Sequence, residues 1–129
     1  MSDPVAIDTN VVIAFFAREE GVVARFEAAT KLVLPAVVLG ELFFGALNSA
    51  RPQENIDRLT RLCRRTSIAF CDLGTAEEYG KIRVELARKG QPIPDNDVWI
   101  AAVARQHSLI LATRDSHFDF IDQLKRDRW

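Results

Sequence analysis

At 129 residues and 14.5 kDa the chain has the length of one domain, enough to bury roughly two thirds of its unfolded surface without disulfide or metal staples. A hydrophobic fraction of 48% and a charged fraction of 27% exclude a disordered or fibrous protein. A net charge of −1 and a pI near 6.1 exclude one that grips nucleic acid through its overall charge, so any such contact is expected to be a local patch.

The opening Met1-Ser2-Asp3-Pro4 carries an acid where a secretory signal needs a basic region, so a cytoplasmic protein is expected. Val5-Ala6-Ile7 is a short apolar run ended by Asp8-Thr9-Asn10, and Val11 to Ala17 is apolar enough for a buried helix. Glu20 to Thr30 is helical in composition, Leu32-Val33-Leu34 reads as a second strand, and Pro35 suits the first turn of a helix over Ala36 to Ser49. The apolar region Leu32 to Leu47 is interrupted by Pro35, Gly40 and Glu41 and is too short to span a membrane. Pro52 opens a helix to about Arg65, and Ile68 to Cys71 reads as a third strand. Thr75 to Lys89 is a helix closed by Gly90. After the loop Gln91 to Asn96 comes a helix over Asp97 to Gln106, then the uniformly apolar strand Leu109 to Ala112. Cys63 and Cys71 fit no metal spacing and read as small hydrophobes. Apolar strands separated by helices point to an α/β protein, a parallel sheet with helices on both faces, in a single domain over residues 1–129.

In such a sheet, ligands bind beyond the carboxyl ends of the strands, where strand order reverses. Asp8 follows the first strand and Asp115 the last, so both should face one rim. Asp8 also suits a helix cap, and Asp115 a solvated turn. Glu41 lies among Val37, Val38, Phe44 and Gly45 at helical spacing, where a carboxylate is costly unless paired with a cation, protonated or bound to metal. Gly40 and Gly45 weaken that helix and suggest a close approach near Glu41. Asp97 shares a helix face with Ile100, Ala101 and Ala104, although an acid in a first turn also gains from the helix dipole. Asp95 could cap that helix and release Asp97 for other work. Acids from four separate elements, with oxygen ligands only, suit Mg²⁺ or Mn²⁺ and phosphodiester hydrolysis. His107 and His117 are too sparse for a zinc site, and no nucleophile triad or phosphate loop is visible.

These segments together resemble the PIN-domain family, and within it the VapC-like toxins of toxin–antitoxin pairs, over nearly the whole chain. Ile7-Asp8-Thr9-Asn10-Val11 is similar to the family's opening motif, and Leu34-Pro35 with Gly40-Glu41-Leu42 to its second. Pro92 to Ala102, through Asp95-Asn96-Asp97, is similar to the third, departing from the family at Ile93-Pro94. Leu111-Ala112-Thr113-Arg114-Asp115 with His117-Phe118 is similar to the closing motif. The resemblance implies strand order 3-2-1-4-5 and a Mg²⁺ or Mn²⁺ endoribonuclease cutting single-stranded or looped RNA by metal-activated water. Its catalytic and metal-holding acids would be Asp8, Glu41, Asp97 and Asp115, with Asp8 and Asp97 the direct ligands. Thr9, Asn10, Asp95 and Thr113 would support them. It also implies a homodimer and a small cognate antitoxin whose tail fills the groove near the acids.

A haloacid dehalogenase-like phosphatase needs a second Asp two residues after the first, where this chain has Asn10. An RNA-processing PIN nuclease without antitoxin, or a degenerate divalent-ion-binding module, remain the alternatives. Arg58, Arg61, Arg64 and Arg65 lie along one helix and, with Arg114, could contact phosphates, although an arginine-rich surface is also ordinary solvated surface. Phe15, Phe16, Phe43 and Phe44 are more aromatic surface than one small core needs, which points again to a homodimer.

Overall fold

The computed structural model describes residues 3–129, so the Met1-Ser2 part of the N-terminal reading lies outside the described residues. Its elements are β1 (Val5–Ile7), α1 (Thr9–Phe16), α2 (Glu20–Ala28), β2 (Leu32–Pro35), α3 (Ala36–Leu47), α4 (Pro52–Arg64), β3 (Ser67–Ala69), α5 (Leu73–Lys89), α6 (Asp95–Gln106), β4 (Ile110–Ala112), a 3-10 turn (Ser116–Phe120) and β5 (Arg126–Asp127). The strands form one sheet of order β3-β2-β1-β4-β5, and every pairing is parallel. Every residue of β1 and β2 is buried, so side chains pointing to either side of the sheet are covered, as a parallel sheet between helices requires. Chain order runs outward from β1 through β2 to β3, then returns to the other side of β1 with β4. The reversal therefore lies between β1 and β4, in register Val5 to Ile110 and Ile7 to Ala112.

Several boundaries depart from the sequence expectation for local reasons. The α5 helix starts at Leu73 rather than Thr75, because Asp72 and Thr75 close a reciprocal capping box ahead of it. Gly90 then ends it in the left-handed conformation at φ 66°, as its lack of a Cβ allows. The α6 helix begins at Asp95, and Pro94 occupies the cap position without a side-chain bond, so Asp95 does not cap it. The third strand is Ser67–Ala69 rather than Ile68 to Cys71, and β4 begins at Ile110. β5 escaped the sequence reading because it is two exposed, charged residues with no apolar run, paired with Leu111 and Ala112.

The core runs through β1, β2, β4 and the inward faces of α1, α3 and α6, with Phe26 and Phe118 its largest fully buried side chains. Phe15 and Phe16 pack against it, and Phe15 stacks on Phe26 at 4.1 Å. Of the four phenylalanines expected at a surface, these two are therefore largely taken up by the core, whereas Phe44 is 71% exposed. Among the described residues no helix is long and apolar enough to cross a membrane, and both cysteines are free.

Candidate metal centre

The β1 strand delivers Asp8 to the rim at the switch point. Its amide donates to the Ala112 carbonyl of the neighbouring β4 at 3.0 Å. Its side chain caps α1 through the Thr9 amide at 2.8 Å and accepts from the Thr113 hydroxyl at 2.7 Å. The two sequence readings of Asp8, cap and site residue, are thus compatible, because one carboxylate oxygen serves each bond. Thr113 is buried and also accepts from the Asp115 amide at 3.0 Å, so one hydroxyl ties the two strand-end acids together. Asn10 accepts from the Arg114 amide at 3.3 Å and fixes the same loop to α1.

Asp115 caps the 3-10 turn through the His117 amide at 2.9 Å. That turn folds the His117 ring back over the rim, with Nδ1 3.0 Å from Asp115 and 3.2 Å from Asp97. Carboxylate atoms of Asp97 and Asp115 and a ring nitrogen of His117 all lie within 4.8 Å of one another, a spacing that suits one ion. Sequence spacing makes His117 too sparse for a zinc site, yet the fold sets it against two of the acids. The available signal was its place two residues after Asp115, which becomes proximity only when the short turn forms.

Asp97 reaches the site from α6, whose Ile100, Ala101 and Ala104 are fully buried on the inward face. Asp95 points elsewhere. It accepts from Tyr79 and from Arg83 of α5, at 3.0 Å from the latter, while Tyr79 stacks on Trp99 at 4.0 Å. Its role is to fasten the start of α6 to α5. Arg105 does the same at the other end of α6, binding Glu78 at 2.9 Å and Glu85 at 3.0 Å.

Glu41 comes from α3 and lines the cleft beside Thr9. Its Oε1 is buried without a hydrogen-bond partner, as is the Thr9 hydroxyl. The expected close approach at Gly40 and Gly45 is absent, since a Cβ at either would meet nothing within 4 Å; both glycines border open cleft.

Burial is the main force on these acids. It raises the carboxyl pKa of Asp8, reinforced by the charge of Asp115 and opposed by the bonds from Thr113 and Thr9. Burial likewise raises Glu41, with Asp8 and Asp97 adding repulsion and the neighbouring Thr9 hydroxyl opposing. Asp97 is raised by burial and by Asp115 and Asp8, with His117 opposing. Among the described residues no arginine or lysine forms an ion pair with Asp8, Glu41, Asp97 or Asp115; only His117 does, with two of them. A cluster of carboxylates with raised pKa values, an unpartnered buried carboxylate oxygen and no counter-cation fits a bound divalent ion.

Fold and crevice together define an α/β protein with a carboxylate site at the switch point of an all-parallel sheet. The chain belongs to the PIN-domain family, whose family model matches residues 5–124. It is similar to Ribonuclease VapC2 of Haemophilus influenzae, at 32% identity over 95% of this chain and 96% of that protein. It is equally similar, at 32% with the same coverage, to the tRNA(fMet)-specific endonuclease VapC of Shigella flexneri. Among solved structures, DNA-bound VapBC from Salmonella typhimurium matches with a TM-score of 0.92, 27% identity and 99% of both chains. VapBC2 from Rickettsia felis, bound to a promoter DNA fragment, matches at 0.91 with 25% identity and 98% of both chains. PIN nucleases of this kind generally depend on a divalent metal ion.

Proposed function

We propose that this protein is a metal-dependent endoribonuclease, using Mg²⁺ or Mn²⁺, and the toxin of a toxin–antitoxin pair. The observation that carries the reading is the convergence of Asp8, Glu41, Asp97 and Asp115 on one rim without a counter-cation beyond His117. The ribonuclease names of its relatives supply the substrate class, and the VapBC assemblies among its structural neighbours support a cognate antitoxin.

The chemistry a divalent ion would supply at this rim is neutralisation of phosphate charge and a lowered pKa for an attacking water. Asp8 and Asp97 would hold it directly, and Asp115 and Glu41 would complete the set. Thr113 holds the Asp8 and Asp115 loops in register, and His117 Nδ1 keeps Asp97 and Asp115 turned toward each other. Asn10 fixes the backbone beside Asp115.

Purified protein should cleave cellular RNA with Mg²⁺ or Mn²⁺ and stop with chelator, and induced expression should arrest growth with discrete new RNA ends. Asp8→Asn should fold and abolish both effects. Equal toxicity of the Asn variant at equal abundance would remove Asp8 from the catalytic site.

A further inference from the structure

The acids account for cutting but not for holding the strand on either side of the cut. A groove of 410 Å³ between α1, α2 and α4 is lined by Phe15, Phe16, Arg18, Arg58, Arg61 and Arg65. The single acid on its walls is Glu27. Arg58, Arg61 and Arg65 recur at three and four positions, so they share one face of the helix and its end, about 10 Å long at 1.5 Å per residue. Arg64, on the same helix, does not line the groove. Arg18 joins the others from the turn after α1, in the left-handed conformation at φ 61° that side-chain-bearing residues rarely adopt.

None of these four arginines forms an ion pair among the described residues, whereas the exposed arginines Arg25, Arg51, Arg83, Arg114 and Arg126 each do. Arg114, in particular, is held by Glu19 at 2.9 Å and by the Trp129 carbonyl, so it stands apart from the groove. The Arg58 guanidinium lies 4.7 Å over the Phe16 ring and that of Arg65 5.8 Å over Phe15. Stacked guanidinium groups are pre-oriented and lose less freedom when they take up a phosphate. The Arg58 guanidinium is also fixed by donating to Asn55 Oδ1 at 2.7 Å and to the Phe16 carbonyl at 3.5 Å, which leaves Arg61 and Arg65 as the groove's freer donors.

Phe16 and Arg58 are shared with a second groove of 420 Å³ that runs past Ile13 and Gly45 to Thr9 and Glu41. One trough thus leads from the carboxylate rim to the arginines. A polymer lying in it passes the cutting site at one end and meets unpaired cations at the other. That is the charge pattern a single nucleic-acid strand requires.

We propose that the arginine groove binds the phosphates of single-stranded RNA flanking the cut. The proposal rests on the nuclease reading. The test uses the full-length Asp8→Asn protein, so that RNA is bound without being cut, and follows the anisotropy of a fluorescein-labelled oligouridylate across a potassium chloride series. Each single-strand phosphate contact contributes about 0.7 to the slope of log affinity against log salt. Arg61→Gln with Arg65→Gln should therefore weaken binding and lower the slope by about 1.4, so that the gap to the parent narrows roughly sevenfold over a fourfold rise in salt. Arg61→Lys with Arg65→Lys should restore most of the slope, and Arg64→Gln should leave it unchanged. Unchanged affinity and slope in the double Gln variant overturn the groove assignment. If poly-glutamate binding falls with that variant while RNA binding does not, the groove takes an acidic protein segment and the assignment is likewise overturned. Cleavage of total RNA by the wild-type chain is scored in parallel. Cleavage with an unaffected slope removes only the groove, whereas neither cleavage nor RNA binding removes the nuclease reading with it.

Discussion

Removing one charge from a crowded carboxylate site should not weaken the metal-free fold, and Asp97→Asn is the sharpest case. Asp97 is only 15% exposed and has an oxygen within 4.8 Å of Asp115. At that separation, unit charges repel by about 3 kcal/mol at an effective dielectric constant near 20, and by on the order of 1–2 kcal/mol once the partial exposure of Asp115 is allowed for. Against this stand about 0.3–1 kcal/mol from the helix dipole in the first turn of α6, and a similar amount from the His117 contact. These contact terms nearly cancel, and burial, the largest force on Asp97, tips the balance toward the neutral variant. At roughly 4 °C per kcal/mol for a domain of this size, Asp97→Asn should melt in chelator between the wild-type temperature and about 4 °C above it.

Metal reverses the order. An ion that binds only the folded state adds about 2.7 kcal/mol at a hundredfold excess over Kd, or roughly 10 °C for the wild type. If the variant's Kd rises about a hundredfold, the same concentration yields RT ln 2, about 0.4 kcal/mol, and a shift under roughly 2 °C. Thermal melts in EDTA and in Mn²⁺ measure both quantities. A variant that melts well below wild type in chelator and keeps the full Mn²⁺ shift would refute the reasoning, leaving Asp97 a helix-start residue only.

The raised pKa values of Asp8, Glu41 and Asp97 give the metal-free protein a defined pH dependence. Their folded values lie above the unfolded 3.8 to 4.5, so the folded state binds more protons in that window; stability should be highest at or below about pH 4 as far as these groups decide, and fall as pH rises through the folded values. Because protons and metal compete, the Mn²⁺ shift should grow over the same range, and a shift independent of pH would contradict it. Thr113→Val should cut metal affinity or activity by about 10–100-fold, through loss of its bonds to Asp8 and Asp115, while Thr113→Ser retains most of it. Light scattering at micromolar concentration should give twice the 14.5 kDa chain mass, since Phe44 and Leu47 on α3 are 71% and 62% exposed, and a monomer mass would end the homodimer reading.

Positions fixed by backbone geometry were legible in the sequence. Asp8 follows β1 directly and Asp115 lies three residues past β4, so the parallel sheet brings both to one rim, where the Thr113 hydroxyl ties them together. Asp97 was legible because Ile100, Ala101 and Ala104 reveal which side of its helix is buried. Positions fixed by side-chain packing between distant segments were not. Asp95 read as a cap because its partners Tyr79 and Arg83 sit on another helix. The Arg105 link to Glu78 and Glu85 is silent for the same reason. Arg58, Arg61 and Arg65 were visible as a stripe, but their separation from Arg64 required knowing which helix face borders α1.

The four acids also differ in how firmly they are held, and the difference bears on their roles. Asp8 accepts two hydrogen bonds, Asp115 is bound through its own turn, and Asp97 meets His117 from a helix fastened at both ends. These three are positioned before any ligand arrives, which favours an ion because little side-chain freedom is left to lose. Glu41 is held less firmly: one of its oxygens is buried without a hydrogen-bond partner, and the neighbouring Thr9 hydroxyl only partly offsets its burial. An unsatisfied buried carboxylate costs about 1–3 kcal/mol or more, so its most favourable state is one in which a ligand supplies the missing partner. Glu41 also lines the groove that leads to the arginines. If an ion binds at the rim and a strand lies in the groove, as proposed, the carboxylate least satisfied by the fold would stand between them, and filling the site would relieve part of that cost.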